Sequence, residues 1–199
     1  FGRDLVNWNN NFTWAKWVTP SRDLISAFKQ EGDEVRFKES IVYYDCNWSN
    51  YYPSDNYPFM YKCRSANSSI IKYRYADVLL LKAEALIMQD TPDLEGAADI
   101  IDKVRDRAKL GALPTSVRSN KNAMLNALLK ERRLELAFEG QRWFDLVRLD
   151  KVEEVMNAVY AKDSGRKAQI YTFDKNSYRL PIPQSVIDAN DKIHQNPGY

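Results

Sequence analysis

Two apolar stripes at helical spacing, separated only by the short stretch "DTPDLEG", constrain this chain's fold more than any other feature. In "YRYADVLLLKAEALIMQ", Ala76, Leu80, Ala83 and Ile87 recur on one helical face and mix small side chains with large ones. That mixture suits close helix–helix contact. Thr91 is placed to cap a second helix, with Pro92 at its first position. Leu94, Ala97, Ala98, Ile101, Val104 and Ala108 then give a second stripe, which ends near Gly111. So short a connection predicts antiparallel neighbours, a pair like one tetratricopeptide unit. Such a unit cannot cover its own faces, so further helices should stack on it.

The stretch "ERRLELAFEGQRWFDLVRLDKV", residues 131 to 152, extends the helical texture but interleaves ions with apolar residues. A helix is predicted from about Lys121 to Arg148, kinked or closely approached at Gly140. On a helical wheel Glu131, Glu135, Phe138, Arg142, Asp145 and Leu149 share one side, and apolar residues occupy the others. Grease all round the axis implies enclosure by protein, and enclosed ions need partners. Spacing offers Glu139 with Arg142, Arg142 with Asp145, and Asp145 with Arg148. Two carboxylates one turn apart, Glu131 and Glu135, could instead serve as acid and base or hold a metal. Di-metal helical sites use Glu-x-x-His pairs, however, and the single histidine, His194, lies far off in a turn. The reading favoured is structural ion pairing, with Arg142 holding the buried carboxylates. Arg105 and Arg107 are expected to cap or pair at a helix end.

Residues 1–72 have a different texture, rich in Asn, Tyr, Trp, Ser and Pro, and are read as an aromatic, loop-rich segment ahead of the helical region 73–199. One helix is predicted from about Ser21 to Gln30 with Ser21 as N-cap. "VYYDCNWSNYYPSDNYPFMYKCRSANSS" reads as a long loop with extended pieces, because Pro53, Pro58 and the Asn/Ser/Asp clusters interrupt any helix. A further helix is expected from Val152 towards Lys162, and "YRLPIPQSVIDAND" places an extended Pro-rich segment before one short helical turn. The fold class is therefore mainly α, a tetratricopeptide-like α-α superhelix with long irregular loops.

Charge and composition exclude several functions. The net charge of +2 and the lack of any Lys/Arg run give no footprint for nucleic acid. No apolar stretch is long enough to cross a bilayer. No cofactor is implied, since the sequence holds no phosphate loop, nucleophile elbow or zinc spacing. Aromatic residues, at 13%, are the one excess.

"RYADVLLLKAEAL", "IIDKVRDRAKL", "ERRLELAFEGQRWFDLVRLDKV", "YRLPIPQSVIDAN" and "QNPGY" follow, in this order, the pattern of the C-terminal half of the SusD/RagB family. The resemblance spans roughly residues 70–199, and "TPSRDLISAFKQEGDEVRF" is similar to the segment that precedes it in the family. It implies a surface-exposed lipoprotein of the outer membrane that captures glycans or other nutrients for a SusC-like TonB-dependent transporter. It also implies that the lipidated anchor, the signal peptide and most of the superhelix lie upstream of Phe1, and that residues 1–72 belong to the ligand-binding region.

An oligosaccharide or polysaccharide ligand calls for flat aromatic faces with amides and carboxylates beside them. Trp14, Trp17, Trp48, Tyr51 and Tyr52 combine rings with nearby Asn or Asp and are the expected contacts. Their competing role is packing of a loop-rich core. No catalysis is expected. The alternatives are a helical glycoside hydrolase using acids such as Asp45 and Asp55, or a peptide-binding helical scaffold. Export would favour a disulfide between Cys46 and Cys63, worth about 3 kcal/mol in the chain-entropy model.

Overall fold

A computed structural model describes residues 19–47, 49–62, 71–162 and 172–199. The chain forms two compact units, Phe1–Arg142 and Trp143–Tyr199. Among the described residues no helix is long and apolar enough to cross a membrane.

In the first unit, α1 (Arg22–Glu31) starts where Ser21 caps it, its hydroxyl accepting from the Leu24 amide at 3.1 Å. Gly32 ends the helix in the left-handed region, φ 69°, which suits a residue without a Cβ. Asp33 then caps a second helix, α2 (Glu34–Ser40), which the sequence reading missed. Two short strands follow, β1 (Ile41–Tyr44) and β2 (Tyr57–Met60), paired antiparallel with Tyr43 opposite Pro58. Proline is tolerated in β2 because a two-stranded ribbon has only edge strands.

Next come α3 (Tyr75–Met88), α4 (Leu94–Arg107), the short α5 (Thr115–Arg118) and α6 (Lys121–Glu135). The pair α3–α4 is the one the stripes predicted, with its cap moved: Asp93, not Thr91, accepts from the Gly96 amide at 2.9 Å. Leu80, Ala83 and Ile87 of α3 meet Ala97, Ala98 and Ile101 of α4 and Met124 and Leu128 of α6 in the main core. The three alanines are fully buried and let the helix backbones come close. A second core joins Ile25 and Phe28 of α1, Ile41 of β1, and Leu134 with Ala137 around the end of α6. Cys46, Tyr57 and Phe59 form a third under the β1–β2 connection.

The expected continuous helix from Lys121 to Arg148 breaks. The α6 helix stops at Glu135, and the helical path resumes only with α7 (Arg142–Arg148). Gly140 does more than kink it: Phe138 and Gly140 both sit at positive φ, 67° and 79°. The left-handed region costs an L residue roughly 1–2 kcal/mol, and Phe138 offsets this by packing on the second core. Glu139 therefore lies outside any helix, and its predicted i,i+3 partner Arg142 is not where it bonds.

In the second unit, α8 (Val152–Lys162) and a 3-10 turn at Lys175–Tyr178 are tied by Asn157. Its side chain donates to the Phe173 carbonyl and accepts from the Phe173 amide, both at 2.9 Å. The Tyr160 and Trp143 rings pack on Phe173 with centroids 5.2 and 6.4 Å away. The extended segment 179–183 leads into α9 (Gln184–Asp188), and Gln195 clamps the backbone of Ile182 as a neighbouring strand would. His194 is exposed. The mainly α class with long irregular connections is as predicted.

Candidate ligand-binding pocket

The connection between β1 and β2 is too rich in Asn, Ser and Pro to form a regular element, so its backbone is pinned by isolated bonds. The Cys46 amide donates to the Ser54 carbonyl at 2.6 Å, and the Tyr51 amide donates to the Ser49 hydroxyl at 3.3 Å. Ser49 also shares a hydrogen bond with the buried Tyr57 hydroxyl at 2.9 Å. Held this way, the loop and Arg22 of α1 line an open pocket of about 910 Å³. Among the described residues its wall is made of Arg22, Cys46, Asn47 and the run Ser49 to Ser54.

Two of the five predicted contacts meet here. Tyr51 and Tyr52 both line the pocket, edge to face, with centroids 4.9 Å apart. The Arg22 guanidinium lies over both rings, 4.0 Å from the Tyr51 centroid and 4.8 Å from that of Tyr52, and donates to the Tyr51 carbonyl. The Tyr52 hydroxyl donates to the Pro20 carbonyl at 2.8 Å, and its ring packs on Tyr57, so Tyr52 also holds the loop to α1. Trp14, Trp17 and Trp48 lie outside the described residues. For Tyr57 and Phe59 packing wins outright, at 2% and 1% exposure. The sequence reading did not single out Arg22. Its place just after Pro20 and Ser21 carries no signal of a ring stack, and its position beside an aromatic loop is visible only in three dimensions. Cys46 is a buried free thiol, and Cys63, the other half of the expected bond, lies outside the described residues.

A second hollow, of about 320 Å³, is lined by charge: Arg36, Lys62, Arg74, Arg107 and Glu135 among others. It opens onto an ion cluster around the C-terminal end of α6. Arg36 Nη1 donates to Glu131 at 2.6 Å and to Glu135 at 3.1 Å, while its Nε bonds Asp33. Arg74 reaches Glu135 at 2.5 Å and Glu139 at 2.7 Å, and Lys62 reaches Glu139 at 2.5 Å. Arg105 spans Glu31 at 2.7 Å and Glu131 at 3.4 Å, and Arg107 bonds Glu135 at 2.6 Å. Arg105 and Arg107 thus pair, as expected. The partners of Glu131 and Glu135, however, come from other elements and not from Arg142, which donates to the Leu129 carbonyl at 3.1 Å. The expected pair of Asp145 with Arg148 is present at 3.0 Å.

The two carboxylates respond differently. Burial pushes Glu135 up, but the hydrogen bond and charge of Arg74, with Arg107 and Arg36, outweigh it and leave Glu135 below its ordinary value. At Glu131 burial wins over Arg36 and Arg105, and its carboxyl is raised. Divergent carboxylates one turn apart are the pattern of an acid/base pair, yet Glu131 is 1% exposed and does not line the hollow. Arg36 and Arg105 hold it there at 2.6 and 3.4 Å, the setting of a structural ion pair. Among the described residues no group of His, Cys, Asp or Glu gathers to hold a metal.

A pH response follows. Glu135 and Glu31 are lowered from 4.5, so the unfolded chain binds protons more tightly than the folded one. Their stabilisation is present above the unfolded value and is lost as pH falls through the lower folded values. Glu131, being raised, works in the opposite direction at higher pH. Urea midpoints are expected to fall between about pH 5 and about pH 3. A midpoint that holds or rises on acidification would mean that Glu131 governs the cluster.

The model of the SusD family matches residues 54–199. SusD-like protein P2 of Formosa agariphila is 35% identical over 143 residues, 68% of this chain and 27% of the relative. SusD-like protein P38 of the same organism is 42% identical over 99 residues, 47% of this chain and 19% of the relative. The chain thus spans about a quarter or less of the length of these curated relatives. A SusD superfamily protein from Bacteroides vulgatus superposes with TM-score 0.66 at 22% identity, covering 91% of this chain and 44% of the other. A laminarin-binding SusD-like protein superposes with TM-score 0.59 at 26% identity, covering 91% and 38%.

Proposed function

Because the chain belongs to the SusD family, we propose that it binds a glycan in the pocket of the β1–β2 loop, without cleaving it. The observation that carries this reading is an open pocket of about 910 Å³ whose wall combines two Tyr rings with amides and hydroxyls. Rings stack on the apolar faces of pyranoses, and amides satisfy the hydroxyls. The laminarin-binding neighbour supports the ligand class. Delivery to a SusC-like TonB-dependent transporter, from a lipid-anchored position on the outer-membrane surface, is the part of the proposal that rests on family membership alone.

A hydrolase needs two carboxylates facing each other across a cleft, roughly 5–10 Å apart. Asp45 and Asp55 are both exposed, and neither lines the pocket. The peptide-scaffold alternative calls for a helix-lined groove, whereas the larger pocket lies on irregular loop and the smaller hollow is walled by ions. Glycan binding without catalysis fits best.

Trp14, Trp17 and Trp48 stay in the proposal as further ring contacts beside Tyr51 and Tyr52. Calorimetry against a polysaccharide panel tests it. Tyr51→Ala is expected to weaken binding about tenfold, from one lost stacking face. Tyr52→Phe should keep affinity and lose some stability, since its hydroxyl anchors Pro20. Sustained release of reducing ends would overturn the non-enzymatic reading. Unchanged binding by Tyr51→Ala, Trp48→Ala and Trp14→Ala together would remove the pocket assignment.

A further inference from the structure

Tyr57 opens β2 at the foot of the loop, paired with Tyr44 of β1. Its ring is 2% exposed and packs edge to face on Tyr52, with centroids 5.5 Å apart, and on Phe59 at 5.1 Å. Packing of that kind asks for a ring and nothing more, as Phe59 of the same strand and the same core demonstrates. The hydroxyl is the part that needs a reason, because a buried hydroxyl is costly unless it is hydrogen-bonded. Here it shares a hydrogen bond with the Ser49 hydroxyl at 2.9 Å and lies 3.4 Å from that of Thr19.

Ser49 carries the effect into the pocket. It lines the wall, and its oxygen also accepts from the Tyr51 amide at 3.3 Å. The Tyr57 hydroxyl thus ties one wall residue, and through it the backbone of a ring-bearing neighbour, to the strand beneath. The described residues between β1 and β2 form no regular element, so single bonds of this sort set the loop's shape. The Tyr52 hydroxyl differs, since it reaches Pro20, which is not a wall residue.

We propose that Tyr57 is a positioning residue of the glycan pocket: its buried hydroxyl, acting through Ser49, holds Tyr51 where its ring can receive the sugar. The inference rests on the glycan-binding reading and names a residue behind the wall that the ligand does not touch. A loop already held in shape loses less freedom when ligand arrives, so the effect reaches affinity.

Tyr57→Phe keeps the ring and deletes the hydroxyl. In hydrogen exchange on the ligand-free protein, the Tyr51 amide should exchange about three- to tenfold faster, the worth of one net hydrogen bond, while the α3–α4 core keeps its protection. Calorimetry with the tightest binder among laminarin, xylan, galactomannan and polygalacturonate should show affinity lowered by a similar factor. Ser49→Ala should reproduce both changes. The double variant should be no worse than Ser49→Ala alone, because both substitutions break the same bond. Ser49→Thr keeps a hydroxyl and should restore most of the affinity. A residue that only filled the core would lower the melting temperature and leave Tyr51 exchange unchanged relative to the core; that outcome overturns the proposal. Faster exchange with affinity untouched, or additive effects in the double variant, also overturns it. Should Tyr57→Phe fail to fold, Ser49→Ala and its Ser49→Thr rescue decide on the same two readouts. Silence towards every polysaccharide removes the glycan reading, while Tyr51 exchange still decides separately whether Tyr57 holds the loop.

Discussion

Replacing Arg36 by Ala is expected to lower the free energy of unfolding by about 3–5 kcal/mol, the range for removing one partner from a buried ion network. This one guanidinium bonds Asp33 through Nε and Glu131 and Glu135 through Nη1, and its side chain is 9% exposed. Without it, Glu131 keeps Arg105 at 3.4 Å, while the Asp33 carboxylate keeps the backbone amide of position 36. Glu135 is better protected, because Arg74 and Arg107 remain. The cost therefore comes mainly from Asp33 and Glu131, two carboxylates stranded at 1% exposure each. Arg36→Lys should recover only part of the loss, since one ammonium cannot serve three carboxylates from one plane. Urea unfolding measures both variants, and a loss below about 1 kcal/mol for Arg36→Ala would mean that the cluster is not a structural hub.

The cluster's consequence reaches the pocket through geometry. Its cations come from α2, from Lys62 just after β2, from Arg74 just before α3, and from α4. All of them bond the end of α6 or Glu139 just beyond it. Lys62 and Arg74 both donate to the Glu135 carbonyl as well, at 2.7 and 2.6 Å. The flanks of the β1–β2 ribbon are thereby fixed, with the Tyr61 amide on the Ser40 carbonyl at 2.8 Å. The loop that the ribbon carries inherits that position. Ions taken out of water gain little net stability, but a directional network fixes which elements meet.

This explains which parts of the molecule were legible in the sequence. Helical stripes report a local period, so α3, α4 and the enclosure of Glu131, Leu134 and Glu135 could be read directly. Ser21 worked as a cap for the same local reason. The partners of Glu131 and Glu135 were not legible, because Arg36 lies 95 and 99 positions away and i,i+3 arithmetic cannot reach it. Arg142 was the wrong anchor for Glu131 and Glu135 because α6 ends before it. Nothing in "LAFEG" announces that Phe138 will adopt positive φ, since only its packing on the core of Ile25 and Phe28 makes that tolerable. Pro58 hid β2, because proline argues against a strand unless both strands are edges. The aromatic loop was legible as a candidate from composition, and Tyr51 and Tyr52 do line a pocket. Arg22 was missed because stacking across a loop leaves no trace in spacing.

Leu128→Ala should have the other large effect, about 2–5 kcal/mol, and for an unrelated reason. Leu128 is fully buried between the stripes of α3 and α4, in the cluster with Leu80, Ile101 and Met124. Truncation loses the transfer energy of the removed carbons and leaves a void whose cost depends on how far the walls can relax. Ala83, Ala97 and Ala98 contribute methyl groups alone to that core and have no longer side chain to swing into the space. Met124, one helical turn away in α6, is the flexible neighbour and sets how much of the void is refilled. Leu128→Met keeps the volume and should cost under about 1.5 kcal/mol. Because no residue of this core lines the loop pocket, Leu128→Ala should bind glycan as the unaltered protein does wherever it is still folded. That separates it from Tyr51→Ala, which should lose affinity and keep its fold. A drop below about 1 kcal/mol for Leu128→Ala would show that the three-helix core is looser than its burial implies.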